Sequence, residues 1–292
     1  MMYPGINVAA CFNVAAYVLF LYDYTLTFGR EVDLFWCQPR RTWAFALFIA
    51  NRYIGLLGRV PAFLENFLPH SGGSNSPVCQ SLHMTDQLIM AVLQLIGAII
   101  MMMRVYAFYD QDRRVLALFV TVALISAGIC CWAFIYRGPP LPPPKYMVLA
   151  GCLGPIYPSQ ALRYAAAWGG QLLFDALIFV FTLWKLARIG TRGERTFIDM
   201  LIRDGTLYFG VMTVMNVANI IVFLVANPWV KSVLSSPTNL LCAAMISRLM
   251  MNLRDPKSRV VGFPSQICNF PMLIYATINL LLGWRINSAG LH

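Results

Sequence analysis

The sequence predicts an all-α, polytopic membrane protein. It reads as a bundle of seven transmembrane helices, with a candidate eighth apolar segment near the C-terminus. Three observations predict this. Of the 292 residues, 59% are hydrophobic and only 12% are charged, against roughly 25% charged in an average soluble domain. The mean hydropathy of +0.65 is too high for a chain that must cover a core with polar surface. Apolar runs long enough to cross a bilayer, about 20 residues each, recur along the chain, and the charges collect between them.

Span one covers about Ile6 to Tyr24. It lacks a basic leader and an A-x-A-like exit, so it reads as a span and not as a cleaved signal. Span two covers about Thr42 to Phe63 and carries Arg52. Span three covers about Thr85 to Tyr106 and closes on "MMMR" (Met101 to Arg104), which suits adaptable packing. Span four covers about Val115 to Tyr136, with Cys130 and Cys131 as small apolar residues. Span five, about Ala161 to Leu186, spaces Ala165 with Gly169 and Ala166 with Gly170. That small-residue pattern permits close helix approach, within the bundle or between copies in a homo-oligomer. Span six covers about Thr206 to Ala226, and span seven about Val230 to Leu253. Residues 1–254 thus form the transmembrane domain. Residues 255–292 form a tail in which Gln266 to Trp284 is apolar but interrupted by Asn269, Pro271 and Asn279. The tail is read as interfacial, with a spanning helix as the alternative.

The connections fix an expected orientation. Basic residues gather after span one (Arg30, Arg40, Arg41), after span three (Arg113, Arg114), after span five (Arg188, Arg192, Arg195) and after span seven (Arg254, Lys257, Arg259). This bias places the N-terminus outside and these loops in the cytoplasm. The other connections are a Gly/Ser/Pro stretch (Leu68 to Cys79) and a proline-rich spacer (Arg137 to Tyr146). The net charge of +10 is therefore topological. It forms no stripe of the kind that binds nucleic acid. The segment "YDYTLTFGREVDLFW" (Tyr22 to Trp36) reads as a surface-lying connector. Phe28, Val32, Phe35 and Trp36 fall on one side, and Arg30 and Asp33 on the other.

Arg52 is the costliest residue, at roughly 2.5–3.5 kcal/mol on insertion scales, so it needs a partner inside the bundle. Asp175, at matching depth in span five, is the expected one. The alternative is that Arg52 snorkels or bonds backbone carbonyls and Asn51. Asn216 and Asn219 share one face of span six and read as helix-joining amides, or as cavity lining. Cys79 and Cys152 fall in outer connections, where a disulfide is chemically reasonable. Eight Cys and three His show no metal spacing, so no metal and no cofactor are expected. No HExxH, GxSxG or P-loop occurs, so catalysis is not expected.

Four blocks, "YDYTLTFGREVDLFW", "FIANRYIGL", "LIRDGTLYFGVMTVMNVANIIVF" and "SRLMMNLR", occur in an order and spacing that resemble a known family. It is the fungal, chiefly basidiomycete, group of multi-pass membrane proteins defined by domain of unknown function 6533. The named domain corresponds to roughly the first sixty residues. The resemblance carries over Tyr22, Asp23, Arg30, Glu31, Trp36, Asn51, Arg52 and Tyr53. It also carries over Arg203, Asp204, Gly205, Tyr208 and Phe209, then Arg248, Asn252 and Arg254. It implies seven spans and brings no established activity. The chain departs from the pattern after Pro256.

Layout alone suggests a receptor or sensor, with a cavity among spans three, five and six and a cytoplasmic signalling partner at the basic loops. A transporter or channel, with Arg52 and Asp175 lining a polar path, is the alternative, and a membrane scaffold is a third. Which membrane holds the chain is left open.

Overall fold

The structure, a computed structural model, describes residues 8–37, 43–67, 77–135, 156, 158–189, 195–228 and 230–254. All regular structure among them is helical. Helix α1 (Val8–Glu31) passes without a break into a π-helical turn, Val32–Trp36. Then follow α2 (Trp43–Leu57), α3 (Val60–Phe67), α4 (Pro77–Phe108) and α5 (Arg113–Ile135). Helices α6 (Pro158–Ile189), α7 (Arg195–Val225) and α8 (Ser235–Arg254) complete the bundle.

Local chemistry sets the boundaries. Helices α4 and α6 begin at Pro77 and Pro158, and α8 carries Pro237 in its first turn. A proline there loses no helical hydrogen bond and arrives with its φ already set. Asp112 starts α5 by accepting the Arg114 N–H on its Oδ1 at 2.9 Å. Helix α7 stops just before Asn227-Pro228. Buried Lys231 donates to its last-turn carbonyl at Phe223, 2.6 Å away, placing a cation where a helix end is negative.

The stretch expected as one second span is broken. Pro61 has no N–H to offer the Leu57 carbonyl, so α2 ends there and α3 starts afresh at Val60. The turn between them is tight at Gly58. A Cβ on Gly58 would lie 2.4 Å from the Ile54 carbonyl oxygen and 2.6 Å from the Ile89 side chain.

The expected connector at Tyr22–Trp36 is also corrected. It continues the first helix, and Glu31 within it is fully buried. The third span begins earlier than expected, so Cys79 lies in the first turn of α4 and is buried there. Cys79 is disulfide-bonded. Cys152, the expected partner, falls outside the described residues. So do the proline-rich spacer and the segment 266–284.

Four helical stretches are long and apolar enough to cross a membrane: Ala10–Trp36, Pro77–Phe108, Arg113–Ile135 and Pro158–Lys185. A shorter apolar stretch is Phe209–Val225. Their outer faces match a lipid environment. In the most apolar 18 residues of α5 only 6% are buried, and Leu124, Ile125, Trp132 and Ile135 point outward. A helix that apolar with so little protein around it has hydrocarbon as its natural solvent.

Packing inside the bundle falls into patches. Ile96 and Ile100 of α4 meet Met212 of α7 and Cys242 and Ile246 of α8. Val105, Phe119, Phe174 and Ile178 join α4, α5 and α6. Gly170 lets α5 and α6 approach closely, with the Ser126 hydroxyl donating to its carbonyl at 3.3 Å. Gly169, the other glycine of the small-residue pattern, faces open space.

Candidate functional site

The site is built on one face of α1. Tyr24, Thr27 and Glu31 recur at helical spacing, so their side chains stack along the side turned to α2. Opposite them α2 presents Asn51, Arg52 and Tyr53. The two faces meet in a buried ion pair. Arg52 Nε lies 2.6 Å from Glu31 Oε2, with the side chains 2% and 0% exposed.

Both members of the pair have further partners. The Arg52 guanidinium donates to Thr27 Oγ1 at 2.7 Å and to the Tyr24 carbonyl at 3.1 Å. Its Cζ sits 4.4 Å from the Tyr24 ring centre, a cation–π contact. Glu31 Oε1 accepts from Trp36 Nε1 at 3.0 Å and from the Tyr53 hydroxyl at 3.2 Å. The Trp36 bond depends on the π-helical turn. Widening the helix lets residues five apart face one another, and the Cys37 N–H bonds Val32 O across the same interval.

Helix α8 closes the cluster. Asn51 Nδ2 donates to the Ala243 carbonyl at 2.9 Å and to Ser247 Oγ at 3.1 Å. Arg248 pairs with Asp23, its Nε 2.5 Å from Oδ1. Arg30 donates to Asn252 Oδ1 at 3.1 Å, and the Arg254 guanidinium lies 4.4 Å from the Phe35 ring centre. Two acids and four arginines are thus interleaved among three helices. In a low dielectric such a set is stable only when every member keeps its partner.

These are the residues that carry the resemblance in the first, second and fourth sequence blocks. Residues 11–57 match a family of unknown function, DUF6533. The matched stretch holds the α1–α2 half of the cluster. Neither the curated proteins nor the solved structures return a match. In the motifs, Tyr22 is exposed on α1. The side chains of Arg203 and Asp204 fall outside the described residues.

The expected Arg52–Asp175 pair is corrected, because Glu31 occupies the place foreseen for Asp175. Asp175 has a separate setting in α6. Its two carboxylate oxygens accept from Gln171 Nε2 at 3.0 Å and Asn216 Nδ2 at 3.1 Å. Asn219, three residues on from Asn216, accepts from the Ser235 hydroxyl of α8 at 3.5 Å. The two asparagines therefore bond different neighbours, one α6 and the other α8. A cavity of about 20 Å³, measured as room for the centre of a water molecule and with more apolar than polar lining, lies beside Asp175. Asn51, Gln94, Gln171, Asn239 and Cys242 also line it. On the same measure one water needs about 10–15 Å³, so the cavity suits one or two small polar guests and no organic ligand.

A third polar group sits beyond the α2–α3 break. Arg59 and Asp86 face each other at 3.5 Å, and His83 Nδ1 lies 2.9 Å from Glu65 Oε1. Sequence reasoning did not single out Glu65, His83 or Asp86 as a group. Among the described residues no three His, Cys, Asp or Glu side chains converge as a metal site.

Proposed function

We propose that this chain is a seven-helix integral membrane protein of receptor-like or sensor-like layout, with its N-terminus outside. Helices α2 and α3 together count as one crossing in that scheme. The observation that carries the proposal is the charge cluster joining α1, α2 and α8. It ties the buried Glu31–Arg52 pair to Asp23–Arg248 and Arg30–Asn252, at the end where the basic connections gather. A set of charges that must move together, next to a surface suited to a partner, is a two-state element in the making. In the resting state the cluster holds the three helix ends closed. A stimulus that draws Arg248 from Asp23 frees α8 to expose the basic face to a cytoplasmic partner, and catalysis has no part in this scheme.

The test is nucleotide exchange on a heterotrimeric G protein in membranes that contain the full chain. Arg248→Gln, which loosens the closed state without touching the Glu31–Arg52 pair, should raise basal exchange several-fold. Exchange that is equally absent for the wild type and for Arg248→Gln rejects signalling through G proteins. A second reading, transport, is favoured by the Asp175 cavity, since buried acids mark ion and proton paths. Solute flux in proteoliposomes that is lost on Asp175→Asn would select it.

A further inference from the structure

The cavity beside Asp175 is lined by one carboxylate and the side-chain amides of Asn51, Gln94, Gln171 and Asn239, set among apolar side chains. Asp175 is 8% exposed and its contacts are the neutral amides of Gln171 and Asn216. Asn51, 1% exposed, lines the same cavity. Its amide orientation follows from its neighbours. The Ala243 carbonyl can only accept, so Nδ2 must face it, which leaves Oδ1 pointing elsewhere. That Oδ1 is buried and has no donor among the described residues. The same logic applies to Asn216. The Asp175 carboxylate takes its Nδ2, and its Oδ1 is likewise buried with no donor among the described residues, although Asn216 itself stands behind Asp175 and outside the lining.

Ionising Asp175 in such a place is costly, and so is leaving the Asn51 oxygen without a partner. A small cation answers both at once, because it needs only oxygen ligands and cancels the charge. The lining offers one carboxylate with amide oxygens, and no second carboxylate, thiolate–imidazole pair or His belongs to it. That donor set is hard and carries a single charge, which fits a monovalent ion over a divalent or thiophilic one. A volume of about 20 Å³ admits an ion of sodium size with a shared water.

We propose that the cavity between α2, α4, α6, α7 and α8 binds a sodium-sized monovalent cation. Asp175 supplies the charge, and Asn51 and Gln171 supply amide oxygen. Through Asn51, which also bonds Ala243 and Ser247 of α8, the ion would be coupled to the helix that carries Arg248. The site serves a sensor or a transporter equally, and its test reads binding and not signalling or flux.

The experiment is thermal unfolding of the purified full chain in detergent, in sodium chloride against N-methylglucamine chloride at matched ionic strength. Sodium should raise the wild-type midpoint by about 5 °C, saturably, as a ligand of the folded state does. Asp175→Asn should abolish that shift, while Asp110→Asn, in an exposed loop, should keep it. Equal wild-type midpoints in the two salts overturn the proposal. So does a sodium shift that survives in Asp175→Asn, or a midpoint raised by acid alone with no sodium effect. Sodium NMR of the wild type gives a measurement that needs no variant. Line broadening relieved by potassium or lithium supports the site, and broadening that no competing ion relieves counts against it.

Discussion

Both halves of the bundle share apolar packing, and they differ in the Glu31–Arg52 and Asp23–Arg248 ion pairs that only the first half adds to it. Where α1, α2 and α8 meet, charges and amides (Glu31–Arg52, Asp23–Arg248 and Asn51–Ser247) are set into apolar packing of Phe20 on Leu240 and Ala243 and of Phe35 on Phe48. Where α4, α5 and α6 meet, rings and aliphatic chains dominate, with neutral hydrogen bonds such as Ser126 to the Gly170 carbonyl and no buried ion pair among the described residues. Phe119 packs edge-on against Phe174 at 6.0 Å and Phe181 at 5.3 Å. The difference matters because lipid tails compete well for an apolar face and poorly for a guanidinium. Between helices in a bilayer, apolar association rests on fit alone, while a buried ion pair has no outside substitute. The first half is therefore specified by identity and the second by shape.

The largest expected effect probes the first half. Arg52→Met leaves Glu31 buried without its cation and should destabilise by about 3–5 kcal/mol. The joint change Glu31→Leu with Arg52→Met should recover most of that loss, read as unfolding midpoint in mixed micelles. A double variant worse than Arg52→Met alone would show that the two residues do not act as a pair. Next in size is Phe119→Ala in the second half. In water-soluble cores the same change costs about 3–5 kcal/mol, of which only the cavity share persists in lipid, so about 1–3 kcal/mol is expected. A loss equal to that of Arg52→Met would erase the contrast. The smallest effect is Lys185→Gln. Its partner Asp110 is 88% exposed, and the change should stay within about 0.5 kcal/mol.

Much of the helical layout was legible because apolar runs must be about as long as the bilayer is thick. The depth of Arg52 and its need for a partner were legible for the same reason. Its partner was not. Ending the first span at Tyr24 moved Glu31 out of the membrane in the sequence reading and left Asp175 as the remaining acid at the right depth. The signal that could have found Glu31 was the spacing of Tyr24, Thr27 and Glu31, which continues one helical face past Tyr24, where the expected span ends. The π-helical turn left no such trace, since its spacing shows only once Trp36 meets Glu31. The break at Gly58–Pro61 was readable from the proline. The closeness of Ile89 to Gly58 was not, because it depends on how α4 passes.

The short length of α2 bears on how the chain enters the bilayer. Its 15 residues reach about 22 Å at about 1.5 Å per residue, less than the roughly 30 Å of hydrocarbon, and they carry a full positive charge. Alone, such a segment is a poor substrate for insertion. Glu31 is made before Arg52, on a helix already long enough to wait at the translocon. The expected order of biogenesis is therefore a hairpin: α1 is retained until α2 emerges, and the two partition into lipid together as a neutral pair. Replacing Glu31 should then show first as failed membrane integration of the nascent chain, before any folded protein exists to be unstable.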